Sequence, residues 1–347
     1  MRKVRRLASA LAALCLAACA RPGPPGVTEL TYASPYAPGH PFSRADITWM
    51  KFVAAQSHGT LRIRPIWSGG LISSDMSMEE LRHGVADIGL ITPIYVRGGT
   101  QLIRTQTGFY SGAASIASQL ALYRCIVADN PEMARETAGL KVLAVQGGSL
   151  PGIVTRNRQV RNLGDLAGLR LRAPTELLSV LRNLGADPVD MPMGEVYSAL
   201  SKGVIDGVVA PADTFRSLHF AEVAKFFNTL EVPRGAYPAR AMGLKTWNAL
   251  TPDDRRVLDE ATPVWEAALD HEITAAWQKG YAEAVHQHVA ISAPSAADQA
   301  RFDALYLHDA EVNARKLDRF GIDGIGAFRN ARAAVTARDQ ISCGGRS

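Results

Sequence analysis

The stretch 166–211 constrains the fold more tightly than any other part of the chain. Residues 169–173 alternate apolar and basic side chains (Leu169, Arg170, Leu171, Arg172, Ala173), the period of a short strand, and Pro174 ends its ladder by removing a donor. An apolar helix over 177–184 follows, closed by Gly185. A strand over 188–191 comes next, then a helix over 195–202 with Gly203 past its end. The nearly all-apolar run 204–210 suits a strand buried on both faces. Strand, helix, strand, helix, strand in this order predicts a parallel α/β sheet, and open sheets of this kind bind ligands beyond the carboxyl ends of their strands. Arg172 stands at such an end.

An internal echo enlarges the picture. Leu81-x-x-Gly84-Val85-x-Asp87 returns as Leu200-x-x-Gly203-Val204-x-Asp206, and a proline follows each copy (Pro93, Pro211). Two units of one plan predict two lobes. Asp87 and Asp206 suggest a catalytic carboxylate pair, but an acid placed straight after a helix cap is expected to be solvated or capping. The first lobe is expected to hold strands over 29–34, 61–67, 85–92 and 141–146, with helices over 43–57, 78–83 and 111–128. The second lobe opens at 153–155, and 213–219 starts a helix. Thr251-Pro252-Asp253-Asp254 begins another, with a capping threonine, proline at the first position and early acids. Its apolar stripe runs from 257 to 285, roughly 45 to 50 Å of helix, long enough to pass behind both lobes. Pro263 should kink it, and Trp265 and Trp277 fall on the stripe, where they are expected in the core.

The chain has 347 residues, enough for two domains of ordinary size, and its 47% hydrophobic content argues against disorder. The formal charge of +5 loses its force once the leader is set aside. Arg2, Lys3, Arg5 and Arg6 lie there, and without them 34 basic residues face 33 acidic ones. No nucleic-acid partner is expected. The leader joins a basic start to an apolar run over 7–18, too short to span a bilayer and right for a secretory signal. Leu16-Ala17-Ala18-Cys19 looks like a lipobox, with Cys19 as the acylated mature N-terminus, and 20–27 is a Pro/Gly tether. Two cysteines remain, Cys125 and Cys343; an oxidising compartment permits a bridge between them, and two separate thiols are the alternative. No Cys/His spacing resembles a metal site, and nothing calls for a cofactor.

The stretch that fixes the sheet also carries a family resemblance. Gly168, Leu169, Leu171, Arg172 and Pro174, then Leu184-Gly185-Ala186, Pro188, Met191-Pro192, Gly194-Glu195-Val196-Tyr197, Ala199-Leu200, Gly203-Val204 and Asp206-Gly207 resemble the signature of the solute-binding subunits of tripartite ATP-independent periplasmic (TRAP) transporters. The similarity runs from about 28 to about 310. It implies an α/β periplasmic-binding-protein fold with two lobes, a hinge, a cleft between the lobes and a long C-terminal connecting helix. The implied division is signal 1–18, tether 19–27, lobe I 28–149 with 235–275, and lobe II 150–234 with 276–340. The resemblance makes Arg172 the clamp on a substrate carboxylate, which fits a planar, permanently charged guanidinium. Strand-end logic and the resemblance add Thr92, Tyr95, Ser68, Ala210, Asp213 and Phe215 as cleft candidates, with His40 and Arg44 as further possibilities. The implied partners are a small organic acid and two membrane permease subunits, the protein itself being a lipid-anchored periplasmic monomer.

Two departures bear on the substrate. Most of the family carries asparagine where this chain has Ala210, and some members carry a second arginine where it has Gly152, with Arg156 one strand turn away. A pocket more apolar than one for sialic acids or small dicarboxylates is expected, suited to a bulkier or aromatic monocarboxylate. The rival classes are a binding module that feeds a sensor, a binder of some non-carboxylate solute, and a hydrolase. The last lacks any Gly-x-Ser-x-Gly, His-Glu-x-x-His or phosphate-loop pattern, so no enzyme is expected.

Overall fold

The computed structural model describes residues 26–96 and 98–344, so the expected signal, Cys19 and most of the tether lie outside the described residues. The strands are β1 (Thr28–Ala33), β2 (Leu61–Ile66), β3 (Ile88–Leu90), β4 (Leu140–Gln146), β5 (Gly152–Thr155), β6 (Arg170–Arg172) and β7 (Asp187–Val189). They continue as β8 (Gly207–Ala210), β9 (Phe226–Asn228), β10 (Tyr237–Gly243), β11 (Ala290–Ser292), β12 (Val335–Ala337) and β13 (Gln340–Ile341). The α-helices are α1 (Pro41–Gln56), α2 (Ser77–Arg82), α3 (Gln101–Gln106), α4 (Ile116–Asp129), α5 (Glu132–Glu136) and α6 (Leu178–Asn183). After them come α7 (Met193–Ser201), α8 (Thr214–Ser217), α9 (Leu244–Ala249), α10 (Pro252–His286), α11 (Ala296–Arg315) and α12 (Gly324–Ala334).

Two sheets organise these elements into two lobes. The first has the order β2-β1-β3-β10-β4 and the second β11-β9-β5-β8-β6-β7. The expected parallel unit is present as β7-β6-β8, with Arg172 opposite Val189 and Val208. Each sheet also holds one strand against the grain: β10 is antiparallel to β3 and β4, and β5 is antiparallel to β8 and β9. These are the strands that follow the two direct crossings between the sheets, β4 to β5 and β9 to β10, whereas β11, reached along α10, runs parallel to β9. A strand that enters from the cleft must run away from it, whereas its neighbours run towards it, so the crossings account for the mixed sheets.

The echoed aspartates turn out to pin strands. Asp87 accepts from the Thr31 amide at 2.8 Å and donates its own amide to the Thr31 carbonyl. Asp206 does the same with Arg170, its carboxylate accepting from the amide at 2.8 Å. The two sit in different lobes with backbone partners, which explains the repeat without chemistry.

Helix α10 carries the connection. Thr251 caps it by accepting from the Asp254 amide at 3.1 Å, and its 35 residues continue unbroken through Pro263. Val257, Leu258, Ala261, Trp265, Leu269 and Ile273 enter the core of the first lobe, and Ala284 enters the second. Trp265 is fully buried, but Trp277 is 37% exposed and stacks on Tyr281, contrary to the expectation of a core position. The helix drifts around its own axis over this length, so a single stripe does not stay buried to its end.

The C-terminal segment contributes to both cores. Within 276–340, Phe302 and Tyr306 pack in the second lobe, yet Ala310, Ala314, Leu317, Phe328, Ala331 and Ala334 belong to the first core. A disulfide between Cys125 on α4 and Cys343 fastens the end of the described chain there, closing one of the two alternatives left open by the sequence. Asp339 reinforces the junction by accepting from the amides of Ala114 and Ser115, both at 2.7 Å.

The first core contains a buried ion pair. Arg240 donates from Nε to Asp46 Oδ1 at 2.7 Å and from Nη2 to Oδ2 at 3.2 Å, with both side chains essentially sealed from solvent. Trp265 Nε1 and the Tyr32 hydroxyl complete the shell of Asp46 at 2.7 and 2.5 Å. Removing one partner of such a pair strands the other charge. Arg240→Met is therefore expected to cost about 3–5 kcal/mol in urea unfolding; a loss under about 1 kcal/mol would contradict this account of the core.

Candidate ligand cavity

The parallel strands of both sheets end on the same gap. From the first lobe, Tyr36 follows β1, Ile94 and Tyr95 follow β3, His40 and Phe42 open α1, and Tyr237 begins β10. From the second, Arg172 and Pro174 close β6, and Val209, Pro211 and Asp213 close β8. Pro151 and Arg234 come from the two crossing segments. Together they enclose a cavity of about 100 Å³, and a wider groove of about 610 Å³ adjoins it past Tyr36, His40, Asp213 and Leu218. Pro35, Pro93, Pro174 and Pro211 follow the carboxyl ends of β1, β3, β6 and β8, and none can donate onward to a ladder.

Arg172 is the more deeply buried of the two arginines that line the cavity. It is 2% exposed, donating from Nε to the Met191 carbonyl at 2.9 Å and from Nη2 to the Tyr95 hydroxyl at 2.5 Å. A guanidinium has five N–H donors, so three remain after its bonds to described residues. The bond to Tyr95 joins the two lobes across the gap.

The other expected residues divide. Asp213 lines the cavity and Tyr95 meets Arg172 there, whereas Ser68 lines only the adjoining groove. Ser68 has a left-handed backbone (φ 60°), and its amide donates to the Tyr36 carbonyl, so it supports the wall. Thr92 is turned into the first lobe, its hydroxyl donating to the Ser74 carbonyl and its amide to Ser77 Oγ. Ala210 is fully buried in the second core, opposite Gly152. Phe215 packs on Phe227 with centroids 5.3 Å apart. None of these last three lines the cavity: successive side chains on an extended chain point to opposite faces, so Val209 and Pro211 take the position expected of Ala210. His40 caps α1 by accepting from the Phe42 amide at 3.2 Å and stacks on Tyr36. Burial pulls its pKa down to about 3, so it stays neutral. Arg44 reaches the groove but is paired with Glu272 at 2.5 Å. Arg156 lies beside Gly203, away from the cavity.

The cavity cation missed from sequence is Arg234. It sits between β9 and β10, in a segment without strand or helix periodicity to mark it. Its only sequence signal is indirect: Gly148 leaves room for it, since a Cβ there would lie 2.5 Å from the guanidinium carbon.

Two carboxyls share the space. Burial pushes Asp213 up to about 6, with Arg234 and the Ser217 hydroxyl pulling back. Desolvation pushes Glu176 up to about 7, aided by Asp190 and opposed by its own amide and Arg172. Both native values exceed the ordinary 3.8 and 4.5, so the folded state holds more protons than the unfolded one between about pH 4 and 7, and stability falls as pH rises through that window. Asp213→Asn and Glu176→Gln should each raise the melting temperature by a few degrees at about pH 8, the gain shrinking below pH 7 and becoming small by about pH 4. A gain independent of pH would show that neither carboxyl is ionised at a cost.

Residues 33–309 match the family profile described as bacterial extracellular solute-binding protein, family 7. A solute-binding protein of Roseobacter denitrificans is 34% identical over 113 residues, which are 32% of this chain and 34% of that one. The chain spans 44%, 34% and 32% of the lengths of three curated relatives that it matches. Solved structures are covered far more fully. A TRAP solute-binding protein from Rhodoferax ferrireducens, in complex with copurified benzoate, superimposes with TM-score 0.79 at 25% identity over 88% of this chain and 97% of its own. A marine metagenome TRAP solute-binding protein gives 0.78 at 23% identity over 90% and 99%, and shares the fold.

Proposed function

Because the chain belongs to the family of bacterial extracellular solute-binding proteins, family 7, we propose that it captures a small organic acid between its lobes and hands it to a membrane permease. The observation that carries this reading is Arg172, a buried guanidinium with donors to spare, aimed into a cavity between two lobes. A carboxylate accepts two parallel N–H donors from such a group, and exclusion of water strengthens the pair. Closure of the lobes supplies that exclusion, and the Arg172–Tyr95 bond links it to the clamp.

The walls narrow the substrate. Tyr36, His40, Phe42, Tyr95 and Tyr237 surround the clamp with rings. The cavity, at about 100 Å³, is of the order of the roughly 150 Å³ cavity that holds benzene. A compact acid built on one planar ring fits both observations. The relative seen with copurified benzoate supports the same class.

The remaining parts of the reading concern place and partners. The family is extracellular, the Cys125–Cys343 bridge suits an oxidising compartment, and no helix among the described residues is long and apolar enough to cross a membrane. We place the mature protein in the periplasm as a monomer, tethered through an acylated Cys19, and assign it reversible binding without catalysis. Arg172→Ala should lower affinity for ring carboxylates at least a hundredfold by calorimetry, since each charge-assisted bond is worth about 1.5–3 kcal/mol. The wild-type protein should return the acid unchanged. Full affinity in the variant, or a product in the wild-type sample, would overturn the reading.

A further inference from the structure

Arg172 accounts for one carboxylate, yet the cavity holds a second permanent cation. Arg234 lines the same space, comes from the segment that crosses from β9 to β10, and is half-buried. Its guanidinium rests on Gly148, where a Cβ would lie 2.5 Å from its central carbon. That glycine is itself held on both sides by buried Gln119, whose Oε1 accepts from the Gly148 amide at 2.8 Å and whose Nε2 donates to the Gly148 carbonyl at 3.0 Å. The seat is thus built and fixed.

What the seat lacks is a bonded carboxylate. Arg240 is bonded on two nitrogens to Asp46, but among the described residues no carboxylate forms an ion pair with Arg234. Asp213 lines the same cavity, but its carboxylate bonds the Ser217 hydroxyl at 3.2 Å and makes no ion pair with Arg234. Arg172 and Arg234 line one cavity, so the two cations face a common volume. A half-buried guanidinium with no carboxylate bonded to it is stabilised by a ligand that brings one.

We infer that Arg234 is a second anion anchor and selects ring acids that carry a second anionic group, such as benzenedicarboxylates, over their monocarboxylate counterparts. This rests on Arg172 as the clamp for the first carboxylate. It also revises the expectation drawn from Gly152 and Arg156: the second arginine enters by a crossing segment instead of by the strand that opens the second lobe.

The test is calorimetry of the mature chain at about pH 8 with benzoate, isophthalate and terephthalate, using wild type, Arg234→Gln, Arg234→Lys and Arg172→Ala, each checked for an unchanged melting temperature. Wild type should prefer at least one diacid over benzoate by tenfold or more, about the worth of one charge-assisted bond. Arg234→Gln should collapse that ratio towards one, and Arg234→Lys should keep part of it. A wild-type preference for benzoate, or a diacid-to-benzoate ratio unchanged in Arg234→Gln, overturns the inference while leaving the Arg172 clamp intact. Acid binding that survives Arg172→Ala overturns the clamp itself, so the two failures are distinguishable.

Discussion

A guanidinium removed from water must meet an anion, and among the described residues two are removed almost completely. Arg240 is answered inside the protein by Asp46, with Trp265 and Tyr32 sharing the carboxylate. Arg172, equally hidden, meets among the described residues only a backbone carbonyl and a phenol. The first arrangement closes on itself and belongs to the core. The second is electrostatically open, and it faces a cavity. Similar residue types at similar burial therefore do opposite work, and the difference lies in whether the fold supplies the counter-charge.

The architecture follows from bringing strand ends together around that open charge. Parallel strands deliver their carboxyl ends to one edge of each sheet, and the chain crosses between the sheets at that edge, through 147–151 and 229–236. The crossings force β5 and β10 to run against their neighbours, and they contribute Pro151 and Arg234 to the cavity. Behind, α10 ties the cores together. Its Gly280 lets the loop of Ala212 and Asp213 approach so closely that a Cβ would lie 2.2 Å from the Ala212 carbonyl oxygen. The long helix thereby positions a cavity wall as well as joining two lobes.

Much of this was legible in the sequence wherever a local period carries the information. The alternation over 169–173 and the proline after it placed Arg172, and Thr251-Pro252 placed the start of α10. Where function depends on which face a single residue takes, strand-end logic found the neighbourhood and missed the side chain. Ala210 and Thr92 sit one to three residues from true wall residues, yet point into the cores. Asp46 and Arg240 are 194 positions apart, and Arg234 lies in an aperiodic segment, so neither could be joined to its partners before the topology was known. Trp277 shows the same limit from the other side, because a stripe read over eight turns assumes a helix that never rotates out of its groove.

The most direct measurement is a crystal structure of the protein soaked or grown with a ring carboxylate. The account predicts one carboxylate oxygen at about 2.7–2.9 Å from an Nη atom of Arg172, with the ring against Tyr36 and Tyr95 and solvent excluded from the pair. An acid bound elsewhere on the surface, with the Arg172 guanidinium contacting only Met191 and Tyr95, would contradict it.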